Sequence, residues 1–149
     1  MARVGPPRAV LAGALRAFEA DGMRVRAAAM VIDSAPIGPS LRRYANSAAV
    51  VECDLAPLDC LARLQSVERR FGRTRAQRRG QRWRARALDL DIILWSGGAF
   101  KNRALRVPHS EMRGRDFVLR PAAAIARNWR DPESGLTLGQ LRARLIKAR

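Results

Sequence analysis

Residues 87–95, ALDLDIILW, carry the most informative pattern in this chain. Aliphatic side chains alternate with Asp89 and Asp91 and then continue without a break, which is typical of a β-strand buried on both faces. We therefore predict a strand over 87–95 in the centre of a sheet. Residues two apart in a strand point to the same side, so both aspartates are expected on one face.

Two carboxylates on one strand face repel each other and are costly to desolvate. A hard divalent cation such as Mg²⁺ would neutralise them, because it takes oxygen ligands from one or two carboxylates together with phosphates. The alternative is that one aspartate pairs with a neighbouring arginine while the other reaches solvent. D-x-D is a short pattern, so its spacing alone leaves both interpretations open.

The segment before this strand, RTRAQRRGQRWRAR at 73–86, is half arginine. Such a segment cannot bury itself, so we predict an exposed, mobile loop. Guanidinium groups match phosphate oxygens in geometry and charge. Beside a carboxylate pair that could hold a metal, this loop favours a polyphosphate ligand.

The whole chain of 149 residues is strongly basic, with a formal net charge of +16. Only Lys101 and Lys147 are lysines, and all other basic residues are arginines. This excess indicates an anionic partner, either nucleic acid or a phosphorylated small molecule. An arginine-rich genome would give the same composition, so the charge alone does not decide between them.

The remaining pattern predicts one α+β domain over residues 1–149. Helices are predicted at 7–21, 57–71 and 137–147, strands at 23–32 and 44–53, a loop at 34–43 and a short extended piece at 105–107. Thr137 and Gln140 have the spacing of a capping box.

The other compositional features favour a cytoplasmic protein. With 48% hydrophobic residues the chain can form a core, yet no apolar run approaches the roughly 18 to 20 residues that cross a bilayer. Cys53 and Cys60 lack zinc-ligand spacing. We therefore expect reduced thiols and no membrane association.

Several polar and aromatic residues outside the aspartate strand could contact a substrate. His109 follows a proline and precedes Arg113, Arg115 and Phe117, a set suited to a phosphate or a planar ligand. Tyr44 and Asn46 share a strand face, where an aromatic ring can stack on a heterocycle and an amide can hydrogen-bond its edge. For the Tyr44 pair, a simple strand start with a capped edge is the alternative.

Five motifs in this order resemble the 6-hydroxymethyl-7,8-dihydropterin pyrophosphokinase family. They are APIGP at 35–39, YAN at 44–46, ERRFGRTR at 68–75, RWRARALDLDIIL at 82–94 and VPHSEMRGRDFVL at 107–119. The resemblance extends from about residue 9 to the C-terminus. It implies a ferredoxin-like α+β sandwich, with a mostly antiparallel sheet and helices packed on it. That fold normally begins with a strand ending in Gly-Ser-Asn, and we expect this first strand to be missing from this chain.

The resemblance implies transfer of pyrophosphate from ATP to the hydroxymethyl oxygen of the pterin, with release of AMP, in folate biosynthesis. Asp89 and Asp91 would hold two Mg²⁺ ions and, with Arg75 and Arg86, form the catalytic set. The implied ATP-binding residues are Gln65, Glu68, Arg73, Arg75, Trp83, Arg86, Ile92, His109 and Arg115. The implied pterin-binding residues are Ser34, Ile37, Tyr44, Asn46 and Phe117.

Two other functions compete with this one. The first is a catalytically impaired relative that binds pterin or nucleotide only. The second is a basic α+β domain that binds nucleic acid, which the charge favours. Aromatic residues, at 5%, are few for an RNA-binding sheet, and the aspartate pair would repel a phosphate backbone. We therefore expect ATP and the pterin as partners, no nucleic acid, and a monomer.

Overall fold

The computed structural model describes residues 7–34, 44–71 and 88–148. These ranges contain helices and short antiparallel strands, so the predicted α+β class is confirmed. In chain order the elements are α1 (Pro7–Ala20), β1 (Arg24–Ala28), β2 (Ile32–Ser34), β3 (Tyr44–Asn46), β4 (Ala49–Glu52), α2 (Pro57–Phe71), β5 (Phe100–Lys101), β6 (Arg106–Val107), a 3₁₀ helix (Met112–Gly114), α3 (Asp116–Ala126) and α4 (Leu138–Lys147). None of the helices in these ranges is long and apolar enough to span a membrane.

The helix ends follow the local signals in the sequence. Helix α1 ends at Ala20, and Gly22 then takes a positive φ of 83°, which favours glycine after a helix. Helix α2 spans the predicted residues. At the start of α4, Thr137 and Gln140 exchange side-chain and backbone hydrogen bonds, so the predicted capping box is confirmed.

The strands form three two-stranded antiparallel pairs in the described part of the chain: β1 with β4, β2 with β3, and β5 with β6. The predicted strands 23–32 and 44–53 pair with each other, but each is divided into two. A bulge lies between Val25 and Ala27, and the two ladders are joined by a bond of 2.8 Å from Ala29 N–H to the Ala48 carbonyl. Residues 29–31 and 47–48, which belong to no strand, separate the two ladders.

The prediction of a strand over 87–95 is wrong for the described residues 88–95, which form no β-ladder. The alternation itself is present, because Leu88 and Ile92 are buried while Asp89 and Asp91 are exposed. Alternation reports where side chains point, whereas a strand also needs a hydrogen-bonded neighbour. In this segment Ile93 O instead accepts a hydrogen bond of 3.0 Å from His109 N–H.

Segment 88–95 lies between two hydrophobic clusters. The first cluster is centred on α1 and α2, and it includes Val10, Phe18, Met23, Leu64, Val67, Leu88 and Ile92. The second is formed by Met112, Leu119, Ala122, Ala126, Leu138 and Leu141, with Ile93 and Leu94 packed against it. Segment 88–95 is therefore held in place by side chains that pack into both clusters, although it forms no hydrogen-bonded ladder.

Helix α3 contributes much of the second cluster and was not predicted. It contains Pro121, which lacks a backbone donor and normally argues against a helix. Pro121 is itself buried, and α3 packs along α4. Tertiary packing here outweighs the local preference.

Several sequence predictions fall on residues 1–6, 35–43 and 72–87, outside the described residues. They are the missing first strand, most of the loop at 34–43 and the arginine loop at 73–86. Both cysteines are free, with Cys60 buried and Cys53 half-buried.

Candidate active site

An open cleft of about 240 Å³ lies where α2, segment 88–95 and the residues around β6 meet. It is lined by Leu61, Leu90, Asp91, Ile92, Ala104, Leu105, Arg106, His109 and Ser110. Ile92 and His109 in this lining are predicted ATP-binding residues, and Asp91 is a predicted metal ligand. The lining combines aliphatic surface with a carboxylate, an imidazole and a guanidinium, which suits a ligand with an apolar base and a charged tail.

Asp89 and Asp91 are both exposed, whereas Leu88 and Ile92 are buried and Leu90 is half-buried, so the backbone directs both carboxylates away from the core. The side chain of Asp91 is 59% exposed and lines the cleft. Mg²⁺ in proteins commonly takes one or two carboxylates and completes its shell with phosphate and water oxygens. The donor set therefore fits a metal that arrives with a polyphosphate. Among the described residues, no cluster of three or more His, Cys, Asp or Glu side chains could hold a metal by itself.

His109 is oriented as a hydrogen-bond donor. Its Nδ1 accepts a bond of 3.2 Å from the backbone N–H of Glu111, so the proton of the neutral ring is on Nε2. That Nε2 is 4.0 Å from Oδ2 of Asp91. The imidazole therefore presents N–H toward the carboxylate and the cleft, where it can donate to an anionic oxygen.

Arg115 and Phe117 are in direct contact. The guanidinium carbon of Arg115 is 5.6 Å from the centre of the Phe117 ring, within the range of a cation–π interaction. Arg115 also forms an ion pair with Glu111. A residue expected to bind phosphate thus touches a residue expected to stack on the pterin.

The backbone brings the other predicted pterin residues together. Ser34 pairs with Tyr44 across the β2–β3 ladder, and Ile32 pairs with Asn46. Helix α3, which carries Phe117 in its first turn, packs against both strands. Four of the five predicted pterin residues therefore lie on neighbouring elements, while Ile37 lies outside the described residues.

Helix α2 carries the two remaining described ATP-site predictions. Gln65 and Glu68 follow Leu61 by four and seven residues, so all three lie on one face of the helix. Leu61 lines the cleft, and Glu68 is 6% exposed. Arg73, Arg75, Trp83 and Arg86 lie outside the described residues, and their roles stay predictions.

The sequence analysis missed part of the cleft. Leu61 and Leu105 are apolar at positions where a core role is the default interpretation. Arg106 is 46% exposed and carries no local motif. The tertiary structure is what brings these residues to the cleft.

Arg113, which the sequence suggested as a further phosphate contact, binds protein carboxylates instead. Its Nε and one terminal nitrogen donate to the two oxygens of Asp131 at 2.6 and 2.8 Å. Burial raises the pKa of Asp131, but hydrogen bonds from Arg113, Ser134 and the Glu133 backbone outweigh it and lower that pKa to about 2. Asp131 is therefore ionised at neutral pH, and its bond raises the pKa of Arg113.

Comparison with known proteins shows the family of this chain. The family model for 7,8-dihydro-6-hydroxymethylpterin-pyrophosphokinase matches residues 2–127. A Synechocystis protein named 2-amino-4-hydroxy-6-hydroxymethyldihydropteridine pyrophosphokinase is 34% identical over 139 residues, covering 93% of this chain and 69% of that protein. The protein of the same name from Pseudomonas aeruginosa is 40% identical over 129 residues, covering 85% of this chain and 77% of that protein.

A third protein of that name, from Methylorubrum extorquens, is 33% identical over 125 residues, covering 83% of this chain and 77% of that protein. The match is not confined to the aspartate and histidine motifs, because it extends over most of both chains. The chain therefore belongs to the 7,8-dihydro-6-hydroxymethylpterin-pyrophosphokinase family.

Proposed function

We propose that this chain transfers the β,γ-pyrophosphoryl group of ATP to the hydroxymethyl oxygen of 6-hydroxymethyl-7,8-dihydropterin, a step of folate biosynthesis. A bond forms between that oxygen and the β-phosphorus, the bond from the β-phosphorus to the α,β-bridging oxygen breaks, AMP leaves, and the hydroxyl proton passes to solvent. The observation that carries the proposal is the pairing of Asp91 with the donor face of His109 in one cleft. Family membership supports the same reaction.

Asp89 and Asp91 are the proposed ligands of two Mg²⁺ ions. Their exposure supports this, because a metal bound with ATP must be reached from solvent. When bound, Mg²⁺ supplies charge neutralisation on the phosphate oxygens. The chain's own part is to hold two carboxylates at the cleft so that the polyphosphate takes one orientation.

His109 and Arg115 are the proposed donors to the phosphates. Pyrophosphoryl transfer needs little covalent help from the protein, so alignment and charge stabilisation supply most of the rate. The Nε2–H of His109 already faces the cleft, which reduces reorganisation when ATP binds. Arg75 and Arg86 are proposed to add positive charge from the loop, with Arg73 and Trp83 beside them.

The apolar part of the cleft is the proposed base subsite. Ile92 and Leu61 are in its lining, and Gln65 and Glu68 share the helix face of Leu61. The pterin is proposed to bind beside it, against Phe117, where the β2–β3 ladder presents the backbone of Ser34 and Tyr44. Asn46 and Ile37 complete this proposed subsite.

The finer features of the fold and setting are also proposals. We propose a ferredoxin-like sandwich, supported by the packing of α1 on both α2 and β1. We further propose a monomer that acts in the cytoplasm and does not bind nucleic acid.

The test is release of AMP from ATP in the presence of Mg²⁺ and the hydroxymethyl pterin. Asp91→Asn should abolish it, whereas Asp54→Asn, at an exposed position outside the cleft lining, should leave it intact. A protein that binds both ligands in calorimetry but releases no AMP would instead be the impaired relative. A nucleic-acid-binding domain would keep or raise its affinity for DNA in Asp91→Asn, since a negative charge is removed.

A further inference from the structure

Asp131 is a buried carboxylate that accepts four hydrogen bonds, and the proposed reaction does not use it directly. It has no solvent exposure. Besides the two bonds from Arg113, its Oδ2 accepts from the Ser134 hydroxyl at 2.7 Å and its Oδ1 from the Glu133 N–H at 3.0 Å. Each oxygen therefore accepts two hydrogen bonds, which fixes both the carboxylate and the arginine in one orientation.

Glu133 extends this arrangement to the cleft. It accepts from a terminal nitrogen of Arg113 at 3.0 Å and from Arg106 at 3.4 Å. Arg106 lines the cleft, and Arg113 lies in the 3₁₀ helix that follows His109. We call Asp131 and Glu133 the carboxylate clamp. Both bind Arg113 in the 3₁₀ helix, and Glu133 also binds Arg106 in the cleft lining.

The clamp holds the segment that carries the phosphate donors. Arg113 lies between His109 and Arg115 in sequence, and the neighbouring Met112 is fully buried. Met112 packs in the second hydrophobic cluster, and the next residue, Arg113, is bonded to Asp131. These two contacts restrain the backbone between the two donors. The position of Asp131 therefore influences how His109 and Arg115 are placed relative to each other.

The stability that this pair contributes does not by itself explain its two-pronged geometry. Buried ion pairs often contribute no more to stability than apolar residues of similar volume, because desolvation offsets the attraction. What a bidentate pair does provide is orientation. Asp131 and Glu133 also lie beyond residues 2–127, the part that the family model matches.

We infer that Asp131 and Glu133 are positioning residues for pyrophosphoryl transfer, acting through Arg113 on the segment 109–117 and through Arg106 on the cleft wall. The inference rests on the proposed function. Neither carboxylate of the clamp is in the lining of the cleft. The clamp acts by holding His109, Arg115 and Phe117 in fixed positions relative to Asp91.

The test compares Asp131→Asn with Thr137→Ala, a control that removes the cap of α4 in the same part of the chain but leaves the clamp intact. Asp131→Asn keeps the shape of the side chain and loses its charge. Since small misplacements of reacting groups can cost about 100-fold, we expect kcat/KM to fall by about that factor, with a higher KM for both substrates. Thr137→Ala should lower the melting temperature and leave both KM values unchanged.

Glu133→Gln keeps the test decisive if Asp131→Asn does not fold, because Glu133 is on the surface and its substitution should be tolerated. We expect about a tenfold rise in the KM for ATP, the effect of losing charged hydrogen bonds. Wild-type KM and kcat in every variant that folds, or in Glu133→Gln alone if Asp131→Asn does not fold, would overturn the clamp inference alone. A wild-type chain that releases no AMP would instead refute the proposed function, and the clamp inference with it.

Discussion

The Nε2 atom of His109 lies 4.0 Å from Oδ2 of Asp91, in the lining of one cleft. The gap is longer than a hydrogen bond, so the imidazole N–H and the carboxylate are close without saturating each other. A phosphate oxygen can accept from the first while a cation binds the second. This juxtaposition of donor and acceptor fits the metal–polyphosphate complex that we propose for the cleft.

Replacing Asp91 tests the acceptor side. Asp91→Asn keeps the volume of the side chain and removes its charge, so we expect Mg²⁺-dependent AMP release to fall by at least about 100-fold. The melting temperature should hardly change, because Asp91 is exposed. Steady-state assays over a range of Mg²⁺ concentrations measure this. Unchanged activity at every Mg²⁺ concentration would show that Asp91 has no role in binding the metal.

Replacing His109 tests the donor side. The terminal amide N–H of His109→Gln can reach the position of the imidazole Nε2–H, whereas His109→Ala leaves no donor. We expect His109→Ala to lower kcat/KM for ATP by about tenfold or more, the effect of losing a hydrogen bond to a charged group, and His109→Gln to lower it less. Equal losses in the two variants would argue against a donor role.

Replacing Phe117 tests the proposed pterin subsite. In Phe117→Leu the ring is lost but an apolar side chain remains, so we expect the KM for the pterin to rise by about tenfold through loss of stacking. The KM for ATP should change less, although Arg115 loses its ring contact. Both KM values come from the same assay. A change confined to the KM for ATP would assign Phe117 to the nucleotide instead.

The lowered pKa of Asp131 leads us to expect a specific pH dependence of the free energy of unfolding. Its pKa is lowered from 3.8 to about 2, so the carboxylate stabilises the fold above pH 3.8, and this contribution is lost as the pH falls toward 2. The lost contribution is about 2 kcal/mol. Denaturant unfolding of wild type and Asp131→Asn from about pH 5 to about pH 2 measures it. The difference between the two proteins should shrink as the pH falls, and a constant difference would contradict the assignment.

The helices with strong amphipathic patterns were predictable from sequence. Helix α2 follows from its leucines, from Asp59 in its first turn and from the arginines in its last turn. Segment 88–95 was placed in a strand because alternation cannot reveal whether a neighbouring strand exists. Helix α3 was not predicted, and it contains Pro121, which is unfavourable inside a helix but is buried in this structure.

The candidate site was predictable where its residues belong to short motifs. Asp89, Asp91 and His109 have distinctive neighbours in sequence. The clamp was not predictable, because Arg113 and Asp131 are separated by 18 residues and nothing local marks Asp131 as a buried partner. Arg106 likewise reaches the cleft through tertiary packing alone.

The most direct measurement is the appearance of AMP when the purified chain is mixed with ATP, Mg²⁺ and 6-hydroxymethyl-7,8-dihydropterin. The account predicts AMP and the pterin diphosphate in equal amounts, dependent on both Mg²⁺ and the pterin. AMP no higher than in the reaction without the pterin, or ADP formed in its place, would contradict it.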